Sequence, residues 1–193
     1  MKGSEQNRSV AREISVDQKS HAWSAALEVV VTNAWLSTSS FANATAAKPI
    51  FRGTAERVLR EFIDRVNAVN ASKEYAFKIK SAVLFGSMLS CADRLGDIDV
   101  AIDLQRRISD SAKFRQQCDR RRHLAEEQGR VFSTAFDWAT WPKKEVVLQL
   151  KARSRSLSLH GFEQLMEMEN LHYRILVGNA NLIASQIPTG CAV

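Results

Sequence analysis

The sequence predicts an α+β fold, because helical patterns and short apolar strands follow one another along the chain. Apolar residues repeat at helical spacing over residues 55–69, with charged residues between them. Two apolar runs, residues 80–85 and 97–102, have the length of strands, and the second alternates polar and apolar side chains. With 193 residues, 45% of them hydrophobic, the chain fits one domain with an added helical segment.

The N-terminal segment differs from the rest of the chain. Residues 1–18 are polar, mixed in charge and without periodicity, which predicts a mobile tail without a secretory signal. The apolar stretch 22–36 predicts a helix that is too short and too polar to span a bilayer comfortably. We expect a tail with a helical extension over residues 1–50, a folded domain over 51–185 and a C-terminal tail over 186–193.

The first helix of the folded domain carries the stripe of apolar residues over 55–69. Thr54 can act as its N-cap, and Asn70 with Ser72 marks its end. Since one face is apolar and the other charged, this helix should pack its stripe against the sheet.

A small-residue turn follows the first strand. The apolar strand over residues 80–85 stops at Gly86, a residue that permits tight turns and lets a backbone approach a ligand closely. Ser87 adds a hydroxyl group. If Ser87 opens a short helix through Cys91, the N–H groups at its start would favour a bound phosphate.

A pair of carboxylates follows in the next strand. Side chains alternate between the two faces of a strand, so Asp97 and Asp99 lie on one face and apolar residues on the other. Two carboxylates roughly 6 to 7 Å apart repel each other, and a hard divalent cation offsets that repulsion. Mg²⁺ commonly bridges one or two carboxylates to substrate phosphates. Turn and carboxylates together therefore predict a site for a metal ion and a nucleotide.

Helices and strands alternate again in the second half of the chain. Asp110 can cap a helix that Gly129 ends, and the apolar run 131–136 predicts a strand. Pro142 suits the first turn of a helix that runs to about Ala152. The last predicted elements are a strand over 155–160, a helix over 162–168 and a strand over 173–177.

Gly86-Ser87 followed by Asp97-Ile98-Asp99 resembles the signature of the DNA polymerase beta-like nucleotidyltransferase superfamily, particularly its small bacterial members. The matching motif covers residues 76–104, and the flanking elements match only in their order. The resemblance implies a nucleotidyltransferase domain with a mixed β-sheet flanked by helices.

The resemblance also implies an activity and roles for four residues. Members transfer a nucleoside monophosphate from a nucleoside triphosphate to an acceptor hydroxyl, with Mg²⁺ (or Mn²⁺) and release of pyrophosphate. Gly86 and Ser87 would bind the nucleotide phosphates, and Asp97 and Asp99 would be the catalytic metal ligands. Similar small proteins include toxins or antitoxins that modify transfer RNA or a partner protein, and enzymes that modify antibiotics.

Many members carry a third carboxylate on a later strand, where it helps to activate the attacking hydroxyl. The strand over 155–160 offers Ser156, Ser158 and His160 on its polar face and no acid. Asp137 is the nearest other candidate. Either Asp137 is the third acid, or His160 serves as the base, or two carboxylates suffice, or activity has been lost.

Charge and cysteine content bear on partners and compartment. The net charge is +6, and lysines and arginines crowd residues 113–155, which favours a nucleic-acid acceptor such as RNA, although such a helix face is often merely solvated. Trp138 and Trp141 either stack on a base or pack against the sheet. Three widely spaced cysteines favour reduced thiols, so we expect a cytoplasmic protein. The alternative to an enzyme is a catalytically inactive binding or regulatory protein that keeps the nucleotidyltransferase scaffold.

Overall fold

A computed structural model describes residues 48–165, 168, 171–178 and 191–192. The helix predicted over residues 22–36 lies outside them. The strands are β1 (Ile50–Phe51), β2 (Phe77–Phe85), β3 (Arg94–Leu95), β4 (Ile98–Arg106), β5 (Leu157–Gly161), β6 (His172–Val177) and β7 (Cys191–Ala192). The helices are α1 (Arg52–Ala71), α2 (Ser111–Glu127), α3 (Ala135–Lys151) and α4 (Phe162–Leu165), with a 3₁₀ turn at Gly86–Leu89.

The main sheet has five strands in the order β5-β4-β2-β6-β7. β2 pairs antiparallel with both β4 and β6, whereas β5 pairs parallel with β4 and β7 pairs parallel with β6. β1 and β3 form a separate antiparallel pair. The described chain is thus an α+β fold with a mixed β-sheet flanked by helices, as expected.

The two longest strands, β2 and β4, set the positions of the residues singled out in the sequence. Phe85, the last residue of β2, lies opposite Asp99 near the start of β4. Lys80 is the extra residue of a bulge, because Ile79 pairs with Leu104 and Ser81 with Asp103. The turn after β2 and the start of β4 therefore lie at the same end of the sheet.

Each face of the sheet packs on a separate apolar cluster. The first cluster lies against α1 and α3 and includes Phe62, Leu84, Val100, Val146 and Leu157. The second lies on the opposite face and includes Val83, Phe85, Ala101, Leu165 and Tyr173. Alternation along β2 and β4 produces this division, since neighbouring residues point to opposite faces. Within the described residues, no helix has the length and apolar character needed to cross a membrane.

Helix α1 begins three residues earlier than predicted, at Arg52, and no side chain caps its start. The prediction of Thr54 as N-cap was wrong. The helix start is held instead by a tertiary bond, in which the backbone N–H of Arg52 donates to the carbonyl of Asp93 at 2.9 Å. The predicted C-terminal end is confirmed, because the helix stops at Ala71 and the N–H of Ser72 caps it.

Helix α2 begins and ends where the sequence predicts. Asp110 accepts a hydrogen bond from the backbone N–H of Lys113 at 2.8 Å, which is the geometry of an N-cap. Gly129 follows the helix with a φ of +85°, a conformation that glycine adopts at little cost.

The strand predicted over residues 131–136 is wrong. Helix α3 starts at Ala135, and Thr134 caps it by accepting a hydrogen bond from the N–H of Asp137 at 3.0 Å. The alternation of apolar and polar side chains before Asp137 imitates a strand, yet Val131 is 84% exposed and pairs with no strand. The spacing of Thr134 and Asp137 is typical of a capped helix start.

Pro142 lies in the interior of α3, not in its first turn as predicted. Proline has no N–H, so the carbonyl of Trp138, four residues earlier, loses its helical donor. Nε of Arg122, on α2, donates to that carbonyl at 2.9 Å, and Nη2 donates to the carbonyl of Ala139 at 3.2 Å. The contact between α2 and α3 thereby compensates for the proline.

Removing the cap of α3 should destabilise the protein. We expect Thr134→Val to lower the free energy of unfolding by about 1 kcal/mol, because the isosteric side chain leaves the N–H of Asp137 without its acceptor. Thr134→Ser keeps the oxygen and should stay within about 0.5 kcal/mol of wild type. Urea denaturation measures both, and equal stability of the Val and Ser variants would contradict the cap.

Candidate functional site

The turn after β2 brings its backbone against a carboxylate. Gly86 has a φ of +73°, and a Cβ built on it would lie 2.7 Å from Oδ2 of Asp99. No other residue fits that space without moving the carboxylate, and none adopts that φ as readily. The following helix is one 3₁₀ turn that ends at Leu89, shorter than the expected helix through Cys91.

Ser87 joins the turn to the segment that precedes β4. Its side chain is exposed, and its Oγ donates to the backbone carbonyl of Asp97 at 3.3 Å. The turn therefore contacts the backbone of the residue that carries the first carboxylate.

The loop between the turn and β4 is tied to helix α1. The guanidinium of Arg52 donates to the backbone carbonyl of Ser90, and its Nε and Nη2 donate to that of Ala92 at 3.0 and 2.7 Å. A single arginine thus holds the loop across 38 to 40 residues of sequence. Because this loop connects Ser87 to Asp97, its anchoring also limits movement of the site.

The two carboxylates lie on the same side of the sheet. Asp97 precedes β4 instead of lying inside it, and Asp99 is the second residue of the strand. Ser158 donates to Oδ2 of Asp97 at 3.1 Å, and Nε2 of His160 lies 3.0 Å from Oδ1 of Asp99. Ser158 and His160 share one face of β5, so their two acidic partners share that face as well.

His160 is buried between two oxygen acceptors. Its Nδ1 lies 3.0 Å from Oε1 of Gln164, its Nε2 contacts Asp99, and its ring packs edge-on against Phe85 with the centroids 5.2 Å apart. Burial by itself lowers the pKa of His160, but the hydrogen bond and the charge of Asp99 outweigh it, so the pKa is raised. The ring therefore favours the imidazolium form, which can donate from both nitrogens.

Asp97 carries charge that its neighbours compensate only in part. Burial raises the pKa of Asp97 above its usual value, and the nearby charge of Asp99 raises it further. The hydrogen bond from Ser158 and the charge of His160 act in the opposite direction. Repulsion between the two carboxylates thus remains in the site, and a bound cation would relieve it.

Two carboxylate oxygens are open to a metal ion. Among the described residues, no N–H or O–H group other than those of Ser158 and His160 donates to these carboxylates, and the side chains of Asp97 and Asp99 lie within hydrogen-bond reach of each other. Oδ2 of Asp99 lies against Gly86. Carboxylate oxygens are the ligands that Mg²⁺ prefers. Across the described ranges no group of three or more His, Cys, Asp and Glu side chains has the geometry of a metal site. A metal ion at this place would therefore have the two Asp carboxylates as its side-chain ligands from this set of residues.

The structure does not bring Asp137 to the site. This residue lies in the first turn of α3 and pairs with Nζ of Lys144 at 2.9 Å and with Nη2 of Arg130 at 3.3 Å. The hydrogen bond from Lys144 lowers the pKa of Asp137, with the charges of Lys144 and Arg130 adding to it. A carboxylate held by two cations in this way fits a structural role. The hydroxyl of Ser156 bonds to Ser154 and to neither acid, although its backbone carbonyl accepts from the N–H of Ile98, between the two acids, at 2.8 Å.

Gln164 is the site residue that sequence reasoning missed. It is buried on α4 and bonds to His160 from four positions further along the chain. A polar residue on the apolar side of a short helix, directly after a strand that carries a histidine, was the available signal. Ser158 was placed on the correct face, but its bond to Asp97 depends on the parallel pairing of β5 with β4.

Substitution of Gly86 should strain the site. We expect Gly86→Ala to lower the free energy of unfolding by about 1 to 3 kcal/mol, because its positive φ and the approach of Asp99 oppose a Cβ. Gly53→Ala is the matched control, since a Cβ at Gly53 in helix α1 meets nothing within 4 Å and should leave stability equal or higher. Urea denaturation of both variants decides, and a fully stable Gly86→Ala protein would argue against the described turn.

The contact between His160 and Asp99 should be visible in the titration of the metal-free protein. The pKa of His160 is raised, so this contact stabilises the fold below the ordinary histidine pKa of about 6.5 and weakens as pH rises through the raised value. Ring ¹⁵N chemical shifts followed against pH should show a lower pKa for His160 in Asp99→Asn than in wild type. Asp103→Asn removes a carboxylate paired with Lys80 and should leave the titration of His160 in place. Identical titrations in wild type and Asp99→Asn would rule out the contact.

Scans of the chain against protein-family models, curated proteins and solved structures find no match. Inference about function therefore rests on the turn, the two carboxylates and the residues that hold them.

Proposed function

We propose that this chain is a metal-dependent nucleotidyltransferase of the DNA polymerase beta-like superfamily. The observation that carries the proposal is the contact between the turn at Gly86 and the carboxylate of Asp99, with Asp97 on the same side. The succession of α1, β2, turn and β4 in a mixed sheet flanked by helices supports the nucleotidyltransferase fold that the sequence motif implies.

The residues present fit a divalent cation, Mg²⁺ or Mn²⁺, at the two open oxygens of Asp97 and Asp99. Burial first, and the charge of Asp99 second, raise the pKa of Asp97, and a cation at these oxygens would offset both effects. A cation held there would neutralise charge on the nucleotide phosphates and so favour displacement at phosphorus.

The remaining site residues would bind the nucleotide phosphates or orient the two carboxylates. Gly86 and Ser87 are exposed at the turn and would receive the phosphates of the nucleoside triphosphate. Ser158 fixes the orientation of Asp97, and His160, itself held by Gln164, fixes that of Asp99. In the reaction, an acceptor hydroxyl oxygen bonds to the α-phosphorus, the bond to pyrophosphate breaks, and the hydroxyl proton leaves to solvent.

Within the part of the chain that the structure describes, no third carboxylate joins Asp97 and Asp99 in a metal-binding group, which bears on the choice of general base. Asp137 is engaged by Arg130 and Lys144, which speaks against it as the third acid. Nε2 of His160 is engaged by Asp99, which favours orientation of that carboxylate over proton abstraction from an acceptor. Of the described residues, the arrangement supports a site that works with two carboxylates.

A second candidate function is a catalytically inactive protein that binds a nucleotide or a partner on the same scaffold. The hydrogen bond from His160 to Asp99 favours it, because an imidazolium beside the carboxylate already offsets part of the charge that a cation would otherwise meet. Transfer of label to any acceptor rules this candidate out.

The decisive measurement follows label from a nucleoside triphosphate. Each α-³²P-labelled nucleoside triphosphate is incubated with the protein, Mg²⁺ or Mn²⁺, total RNA and cell lysate. We expect the α-labelled nucleotide to label RNA or a protein. A nucleoside triphosphate labelled on its γ-phosphate should label neither, because that phosphate leaves with pyrophosphate. Asp97→Asn and Asp99→Asn should each lower transfer about 100-fold or more, since each removes a metal ligand.

The matched control is Asp103→Asn, which lies on the same strand and pairs with Lys80 at 3.2 Å, away from the turn. It should retain transfer within about twofold of wild type. Equal activity of the Asp97 and Asp99 variants and wild type would reject the assignment of these residues. Wild-type protein that labels nothing would favour the inactive scaffold.

A further inference from the structure

The positive charge of the chain is concentrated on α2, α3 and the residues that follow each of them. Residues 111–155 contain eleven lysines and arginines against five aspartates and glutamates, an excess equal to the net charge of +6 of the whole chain. Lys113, Arg115 and Arg120 are exposed on α2 and form no ion pair with a described residue. A surface of this sign attracts a polyanion.

A cavity of about 530 Å³ opens at the same place, between the end of α2 and the start of α3. Its walls include Val131, Phe132 and Trp138, with Arg130 and Glu126 as the charged members. Val131 is 84% exposed and Trp138 is 43% exposed. The cavity is therefore open, partly aromatic and large enough for a planar heterocyclic group.

Trp138 lines the cavity and is 43% exposed, while its ring is held in place from one face. The guanidinium of Arg122 covers that face at 3.9 Å from the ring centroid and is itself fixed by Asp119 and by the carbonyls of Trp138 and Ala139. A fixed, exposed indole face is a stacking platform for a nucleobase.

Arg130 and Glu126 supply polar groups beside this platform. Arg130 stacks on Trp141 with its guanidinium carbon 3.8 Å from the ring centroid, and it uses only Nη2 to bind Asp137. Its Nη1 donates to no described residue, and its buried Nε has no described partner. The carboxylate of Glu126 repels a phosphate but accepts from the N–H groups of a base edge, so the cavity itself suits a base.

This cavity lies away from the two carboxylates. Five residues join the C-terminal end of α3 to β5, and β5 runs parallel to β4, so α3 runs antiparallel to both strands. The start of α3 is thus near the end of β4 at Arg106, about 23 Å along the strand from Asp99. Helix α3 also packs on the opposite face of the sheet from Asp99. One mononucleotide cannot occupy both places.

We propose that this cavity binds an unpaired base of a single-stranded polynucleotide, whose phosphates lie along the basic surface of α2 and α3. The base stacks on Trp138, and only a polymer reaches from there to the carboxylates. That this polymer is the acceptor for nucleotidyl transfer rests on the proposed function. Binding of the polymer at the cavity is independent of that function.

The test measures binding by the full chain without nucleotide or metal. Fluorescence anisotropy of labelled 20-nucleotide RNA and DNA strands in 100 mM salt gives the affinity, with unlabelled duplex as competitor. We expect Trp138→Ala to weaken binding about 5- to 100-fold, as loss of a base stack does. Phe136→Ala is the matched control, since Phe136 is equally exposed at 43% but does not line the cavity, and it should change affinity less than twofold.

A second pair of variants covers the case in which Trp138→Ala does not fold. Val131 is exposed at the cavity, so either charge is tolerated there. Val131→Glu should weaken binding and Val131→Lys should strengthen it, each by several-fold. The affinity of wild type should fall as salt rises.

The outcomes separate this proposal from the proposed function. The proposal is overturned if no strand binds, if duplex competes as well as single strand, or if Trp138→Ala and Phe136→Ala behave alike. A preference of RNA over DNA, or the reverse, identifies the polymer. If Asp97→Asn still binds the strand and wild type transfers no label, the binding cavity is supported and the transferase is rejected. If label is transferred to RNA and Trp138→Ala leaves the KM for RNA unchanged, the transferase is supported and the base-binding cavity is rejected.

Discussion

The contact between Gly86 and the carboxylate of Asp99 is the constraint on which the candidate site depends. It follows from the register of β2 on β4, in which Phe85 lies opposite Asp99. A slip of one residue would turn Asp99 towards the apolar cluster under α1 and α3 and would carry Val100 to the site. Burial on both faces opposes that slip, because it would place the carboxylate of Asp99 in an apolar cluster.

Charge is distributed unevenly over the molecule. The start of β4 carries two carboxylates with one histidine beside them. Residues 111–155, which span α2, α3 and the segments that follow each helix, carry a positive excess equal to the net charge of the chain. A polyanion is attracted to the helices and repelled by the carboxylates. On the proposed function, a divalent cation reverses that repulsion at the start of β4, so metal binding and approach of a polyanionic acceptor are coupled.

Local patterns predicted the parts of the structure that local physics determines. The turn at Gly86, the shared face of Asp97 and Asp99 and the cap at Asp110 depend on residues close in sequence, and the structure contains all three. The strand predicted over 131–136 failed because alternation over six residues does not separate a strand from a loop followed by a capped helix.

The sequence did not predict the contacts between β5 and the start of β4, for a different reason. The bonds from Ser158 to Asp97 and from His160 to Asp99 join residues 61 apart in sequence, and they depend on β5 pairing parallel with β4. The polar face of β5 was visible in the sequence, but its neighbour was not. Asp137 likewise seemed available until its partners on α3 and beside it, Lys144 and Arg130, were known.

Pro142 makes the start of α3 depend on its contact with α2. Because the carbonyl of Trp138 finds its donor on Arg122 and not within α3, the first two turns of α3 are completed by a neighbouring helix. Separation of α2 from α3 would break the bond to that carbonyl at the same moment as it uncovers the indole ring. Local unfolding of α2 therefore removes support from the first turns of α3 as well.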